Sequence, residues 1–169
     1  RGAVGAARGA AGAPPASLAE AMTVKGFVKM YSESGRVRYH GETKEGKKDG
    51  FGSSFYESGA REYDGQWKGG VMHGTGRWCR EDGTRFYQGD FMEGVRHGRG
   101  TLYHSSGLKR YVGQWKEGAA HGDGVAYDEY GNKEYEGQWM ENHAVGPGTW
   151  YDENGNAVRG VPLHPQAAE

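Results

Sequence analysis

A chain of 169 residues has room for one domain and a tail. Its formal charge of −1 offers no basic excess for nucleic acid, its single Cys79 excludes an internal disulfide and a multi-cysteine metal site, and no apolar run approaches the roughly 18 residues of a membrane span. Low hydrophobic content (35%) with 32 glycines would suit a disordered chain, but the glycines return in register, and five Trp, eleven Tyr and five Phe supply apolar mass.

Residues 1–22 are mostly Ala, Gly, Arg and Pro, with no acid before Glu20. Such an Arg-bearing, acid-poor start without Met resembles the surroundings of an organelle transit-peptide cleavage site, which implies a mitochondrial subunit. The alternative is an ordinary disordered terminus on a cytoplasmic, cytoskeletal or ciliary protein. Pro15 to Met22 predicts a short helix, with Pro15 in its first turn and Leu18 and Met22 as apolar contacts.

From residue 23 the chain repeats. Tyr39, Tyr63, Tyr87, Tyr111 and Tyr135 stand 24 residues apart, and each is followed two residues later by Gly41, Gly65, Gly89, Gly113 or Gly137. A fixed period of this length marks a repeat array. A half unit (Gly26, Tyr31, Gly35) precedes five units beginning at residues 39, 63, 87, 111 and 135. The array is therefore set at 23–160, and 161–169 is a Pro-containing tail.

Within a unit, Tyr63-Asp64-Gly65-Gln66-Trp67-Lys68 alternates with period two. That is a strand, with Tyr, Gly and Trp on one side and Asp, Gln and Lys on the other. A first turn region ends at Gly74-Thr75-Gly76, and Arg77 to Arg80 make a second strand. The second turn (Glu-Ser-Gly, Glu-Asp-Gly, Ser-Ser-Gly) places glycine where φ > 0 is needed. Each unit is a β-hairpin, and about 11 strands form an antiparallel meander. A three-residue turn near Gly83 sets Cys79 opposite Tyr87, and likewise pairs Tyr31 with Tyr39, Phe55 with Tyr63, Tyr103 with Tyr111 and Tyr127 with Tyr135. The same register pairs Glu57 with Arg61, Glu81 with Arg85, and Glu129 with Lys133. Gly65, between Tyr63 and Trp67, leaves bare backbone on which a neighbouring ring can lie.

The pattern Tyr-x-Gly-x-Trp-x-x-Gly-x-x-x-Gly-x-Gly, complete in Tyr63, Gly65, Trp67, Gly70, Gly74 and Gly76 and in Tyr111 through Gly124, resembles the MORN repeat, the membrane occupation and recognition nexus. The unit from Tyr87 carries Phe91 for Trp, the first unit carries Thr43, and the fifth has Asn142 for Gly. The resemblance implies an all-β fold, an elongated single-layer twisted antiparallel sheet of tandem hairpins. It also implies a scaffold in cytoskeletal, ciliary or membrane-junction assemblies, or a module attached to a separate catalytic domain.

Chemistry is sparse. His73, His97 and His121 hold one position each, but equivalent atoms two strands apart lie about 9–10 Å from each other, whereas metal ligands sit within about 2–2.5 Å of one ion. Turn packing accounts for them, and no metal or cofactor is expected. No nucleophile elbow, phosphate loop or dinucleotide fingerprint is present, so the chain is not expected to be an enzyme. Cys79 fills an aromatic packing position, which predicts a buried thiol.

Two residue sets remain. Tyr63, Trp67, Tyr87, Phe91, Tyr111, Trp115, Tyr135 and Trp139 form an aromatic face that packs the repeat, and any strip left uncovered is a protein-docking surface. Arg61, Arg85, Lys109 and Lys133 form a basic column, read as lipid contact at about 1 kcal/mol per exposed charge or as local neutralisation by Glu57, Glu81 and Glu129. The expected function is a non-catalytic scaffold or accessory subunit docking on other protein subunits through its aromatic face and edge strands. The alternatives are a peripheral adaptor on anionic phospholipid and a regulatory module of a separate enzyme chain. Nucleic acid is not an expected partner.

Overall fold

A computed structural model describes residues 26–158, and the expected helix at 15–22, the N-terminal arm and the C-terminal tail lie outside them. Twelve strands make one open antiparallel sheet in strict chain order. They are β1 (Gly26–Tyr31), β2 (Val37–Lys44), β3 (Lys47–Phe55), β4 (Arg61–Lys68), β5 (Val71–Cys79) and β6 (Arg85–Met92). The array continues with β7 (Val95–Tyr103), β8 (Lys109–Lys116), β9 (Ala119–Tyr127), β10 (Lys133–Met140), β11 (His143–Tyr151) and β12 (Ala157–Val158). The strand beyond the expected 11 is the two-residue β12, which pairs only with Trp150 and Tyr151.

Two turns alternate. The first is tighter than the glycines suggest. Glu93 and Gly94 have φ of 51° and 86°, Gly69 and Gly70 58° and 98°, and Glu141 and Asn142 49° and 69°. Positive φ at both central residues makes a two-residue turn whose twist suits a hairpin. The second strand therefore resumes at Val71, not after Gly76, and the region around Gly74 is a bulge between Gly65↔Gly76 and Trp67↔Met72. From the second unit on, each first turn also bonds to the hairpin before it: Gly94 N–H donates to Met72 O at 2.9 Å and Gly118 N–H to Arg96 O at 2.9 Å.

The second turn corrects the expected register. Gly83 N–H donates to Arg80 O at 2.9 Å, closing the turn, and Phe86 is bulged out, so that Trp78 faces Tyr87 and Cys79 faces Arg85. Met30, Ser54, Leu102 and Ala126, not Tyr31, Phe55, Tyr103 and Tyr127, stand opposite the repeat tyrosines. The extra residue carries the basic column away from the turn glutamates. Glu57 pairs with Arg38 of the preceding hairpin at 2.9 Å, Arg61 with Asp64 at 3.2 Å, and Lys133 with Glu136 at 2.6 Å. Arg85 lies over the Tyr103 ring, 5.1 Å from its centroid.

Among the described residues the core is built without a second layer. Tyr39, Tyr63, Tyr87 and Tyr111 are fully buried, and Trp67, Phe91, Trp115, Tyr135 and Trp139 are nearly so. They form one edge-to-face chain: Tyr39–Trp67 5.6 Å, Trp67–Tyr63 5.0 Å, Tyr63–Phe91 5.2 Å, Phe91–Tyr87 5.1 Å, Tyr87–Trp115 5.4 Å. It continues through Tyr111 and Trp139 to Tyr135 and Trp150. Such contacts contribute about 0.5–1.5 kcal/mol each beyond burial. The polar tips of the five repeat tyrosines and of Trp67, Trp115 and Trp139 are matched. Tyr63 Oη donates to Gln66 O at 3.0 Å, and Trp67 Nε1–H donates to Gly52 O at 3.0 Å, crossing from one hairpin to the previous one.

The ring that lies over Gly65 belongs to Tyr63 itself, and it reaches the cross-strand glycine as well. A Cβ at Gly76 would stand 2.1 Å from Tyr63 Oη, and one at Gly100 2.1 Å from Tyr87 Oη. Glycine there is a steric requirement of the ring above. Where Trp is missing, a long cation fills the gap: Thr43 faces Lys48 and Phe91 faces Arg96. Lys48 Nζ sits 4.2 Å from the Trp67 ring centroid and the Arg96 guanidinium 4.3 Å from that of Trp115. Burial lowers the pKa of both cations.

Candidate docking groove

The sheet face opposite the rings carries an open groove of about 990 Å³. Its floor is the paired glycine row, Gly52↔Gly65, Gly76↔Gly89 and Gly100↔Gly113. Tyrosine occupies the other side of that row, so the groove reaches bare backbone. One wall is the register row Ser53, Asp64, Arg77, Gln88, Thr101 and Val112. The other wall presents Phe51, Thr75, Arg99, Gln114 and Asp123.

Local rules place these side chains. The bulge in each hairpin orphans one backbone N–H, and the side chain three residues after the repeat tyrosine accepts it. Gln66 Oε1 takes Thr75 N–H, Asp90 Oδ2 takes Arg99 N–H, and Gln114 Oε1 takes Asp123 N–H, each at 2.8 Å. In the fifth unit the equivalent position is Pro147, which has no N–H, and Gln138 instead donates to Asp123. At the N-terminal end Phe27 and Phe51 are 67% and 58% exposed, and Phe27 packs edge-on against His40 at 5.5 Å.

Asp64 anchors the charge of the first third of the groove. It accepts from Ser53 at 2.6 Å and pairs with Arg61 at 3.2 Å and Arg77 at 3.5 Å. These groups are exposed, so each pair contributes at most about 1 kcal/mol. Glu136 falls below the usual carboxylate range because Lys133 bonds to it.

The two residue sets expected to act from sequence therefore part company. Tyr63, Trp67, Tyr87, Phe91, Tyr111, Trp115, Tyr135 and Trp139 are spent on one another within the chain and leave no exposed aromatic strip of their own. Arg61, Arg85, Lys109 and Lys133 are exposed and stand together along one rim of the groove, each beside a ring or small apolar residue of the adjoining strand: Phe55, Cys79, Tyr103 and Tyr127. Cys79 is buried. His73, His97 and His121 are half-buried in the second strands, with Glu117 N–H directed at His97 Nδ1 at 3.5 Å. Among the described residues, no three His, Cys, Asp or Glu side chains cluster as metal ligands.

Sequence reasoning passed over the groove walls. Thr75, Arg77, Arg99 and Thr101 occupy the variable positions between the repeat glycines, where no type recurs to draw attention. Their signal was the alternation itself, because every residue between two floor glycines must face away from the rings.

A family model for the MORN repeat matches residues 39–61, 63–85, 87–109, 111–128 and 135–157, five consecutive units. A search of the curated proteins finds no match. The repeat is known as a protein- or membrane-interaction module and is typically non-catalytic. With five matched units covering most of its length and a sheet built from their shared rings and glycines, the chain belongs to the MORN-repeat family.

Proposed function

We propose that this chain is a non-catalytic scaffold or accessory subunit that docks on a larger protein assembly through its groove. One observation carries the reading. The ring face satisfies its own rings, hydroxyls and indole N–H groups, whereas the groove exposes apolar and charged side chains over bare backbone. A long concave surface of this kind suits an elongated protein segment better than a compact metabolite. Among the described residues β1 is an edge strand, and it adds Phe27 and Tyr31, both more than half exposed, as a second contact.

The test is recovery of co-purifying chains by the intact protein and by two variants. Thr101→Arg obstructs the groove and should lose them, while Glu134→Arg on the ring side should keep them. Loss with Glu134→Arg and retention with Thr101→Arg would refute docking in the groove. The rim cations support a second reading, a peripheral adaptor on anionic phospholipid, for which charge reversal at Arg85 and Lys109 would abolish vesicle binding.

A further inference from the structure

The groove rim alternates rings and cations. Across successive strands the order is Arg85, Tyr103, Lys109, Tyr127, Lys133, Tyr151, with Tyr103↔Lys109 and Tyr127↔Lys133 as register pairs. Arg85 stacks on Tyr103 at 5.1 Å and Lys133 on Tyr151 at 5.6 Å. The backbone beneath is held from turn to turn: Arg80 Nη2 donates to Tyr103 O at 2.7 Å, and His104 Nε2 lies 2.9 Å from Tyr127 O.

The cations are not equivalent. Arg61 and Lys133 each meet a carboxylate three residues on, Asp64 and Glu136. The same position after Arg85 is Gln88 and after Lys109 is Val112, neither of which carries a charge. The cations at the two ends, Arg61 and Lys133, are thus paired with carboxylates, and the two in the middle, Arg85 and Lys109, have no carboxylate at that position.

The spacing is specific. Strands lie about 4.7–4.9 Å apart, so cations on alternate strands recur about every 9.5 Å. A β-strand partner turns every third side chain to its opposite face. A polyproline II segment has three residues per turn and rises about 3.1 Å per residue, which brings every third side chain back to the same side after about 9.3 Å. Aromatic-lined grooves are the usual seat of that conformation.

We infer that the Arg85–Tyr103–Lys109–Tyr127 rim receives a polyproline II segment of a partner protein carrying a carboxylate at every third residue, with prolines against the tyrosines. This identifies the partner chemistry of the groove and rests on the docking reading above.

The probe is the fluorescent peptide (Glu-Pro-Pro)4, compared by anisotropy at low salt with an isomer holding its four glutamates together and with (Lys-Pro-Pro)4. The spaced acidic peptide should bind at least tenfold more tightly than either, and added salt should weaken it. Arg85→Glu/Lys109→Glu should cost at least tenfold, and Arg85→Gln/Lys109→Gln gives the same reading if charge reversal disturbs folding. Equal affinity for the isomer, or binding indifferent to both double variants, overturns the inference. So does Arg85-dependent binding to phosphatidylserine-containing vesicles without peptide binding. Loss of native partners in Thr101→Arg but not in the rim variants would leave groove docking standing and remove the rim segment alone.

Discussion

The two faces of this sheet are made from alternate residues of the same strands, yet they solve opposite problems. On the ring face the units from Tyr63 on repeat one solution. A tyrosine lies over two glycines, its hydroxyl bonds to a carbonyl three residues on, and a Trp or Phe wedges between successive tyrosines. On the groove face the corresponding positions run Ser53, Asp64, Arg77, Gln88, Thr101 and Val112, with no repeated chemistry. A single-layered sheet has no separate core to bury, so one face must become the core by itself. Among the described residues, that leaves the other face uncovered.

The strongest way to break the comparison is on the ring face. Tyr87→Ala removes a fully buried ring between Phe91 and Trp115 and should cost about 3–5 kcal/mol in urea unfolding. Gly100→Val places a branched side chain where the Tyr87 ring already lies and should cost about 1–3 kcal/mol, with little recovery in a Tyr87→Phe background, because Tyr87 Cζ and Cε2 stand 2.3 and 2.6 Å from the added Cβ.

The rings also set a pH limit. Burial pushes the Tyr39 phenol up to about 12, and the Tyr63, Tyr87 and Tyr111 phenols rise for the same reason. Unfolded tyrosine ionises near pH 10. Above that pH the unfolded chain releases protons that the folded chain retains, so stability falls as pH rises. The contribution is complete below about pH 10 and is lost as pH climbs through the folded values. Urea midpoints between pH 8 and pH 12 should decline steeply past pH 10, and less steeply for Tyr63→Phe.

Smaller effects come from the groove side. Gln114→Ala leaves the Asp123 N–H of the bulge without its 2.8 Å acceptor and should cost about 1 kcal/mol. Val112→Thr, in the groove wall, should change stability by less than about 0.5 kcal/mol, because none of the described residues packs over it. If groove substitutions proved as damaging as ring substitutions, the division of labour between the faces would be wrong.

What the sequence made legible follows the same division. The strand pattern, the hairpin array and the buried set from Tyr63 to Trp139 were readable because bulky rings at a 24-residue period have one way to be buried together. The register was not. The bulged Phe86 shifts Cys79 from Tyr87 to Arg85, the bulged Arg110 shifts Tyr103 from Tyr111 to Lys109, and a bulge has no compositional mark when any residue can occupy it. The two-residue first turn was hidden by Glu93 and Glu117, which adopt positive φ only because the hairpin on either side fixes it. The groove went unseen because its walls are the positions where the repeats differ.

The account is tested most directly by hydroxyl-radical footprinting of the chain alone and bound to its co-purified partner. Docking in the groove predicts protection of Phe27, Phe51 and Tyr103, with Trp78, Phe86 and Trp150 on the ring face unchanged. Protection of Trp78, Phe86 and Trp150, with Phe51 and Tyr103 unchanged, would contradict it.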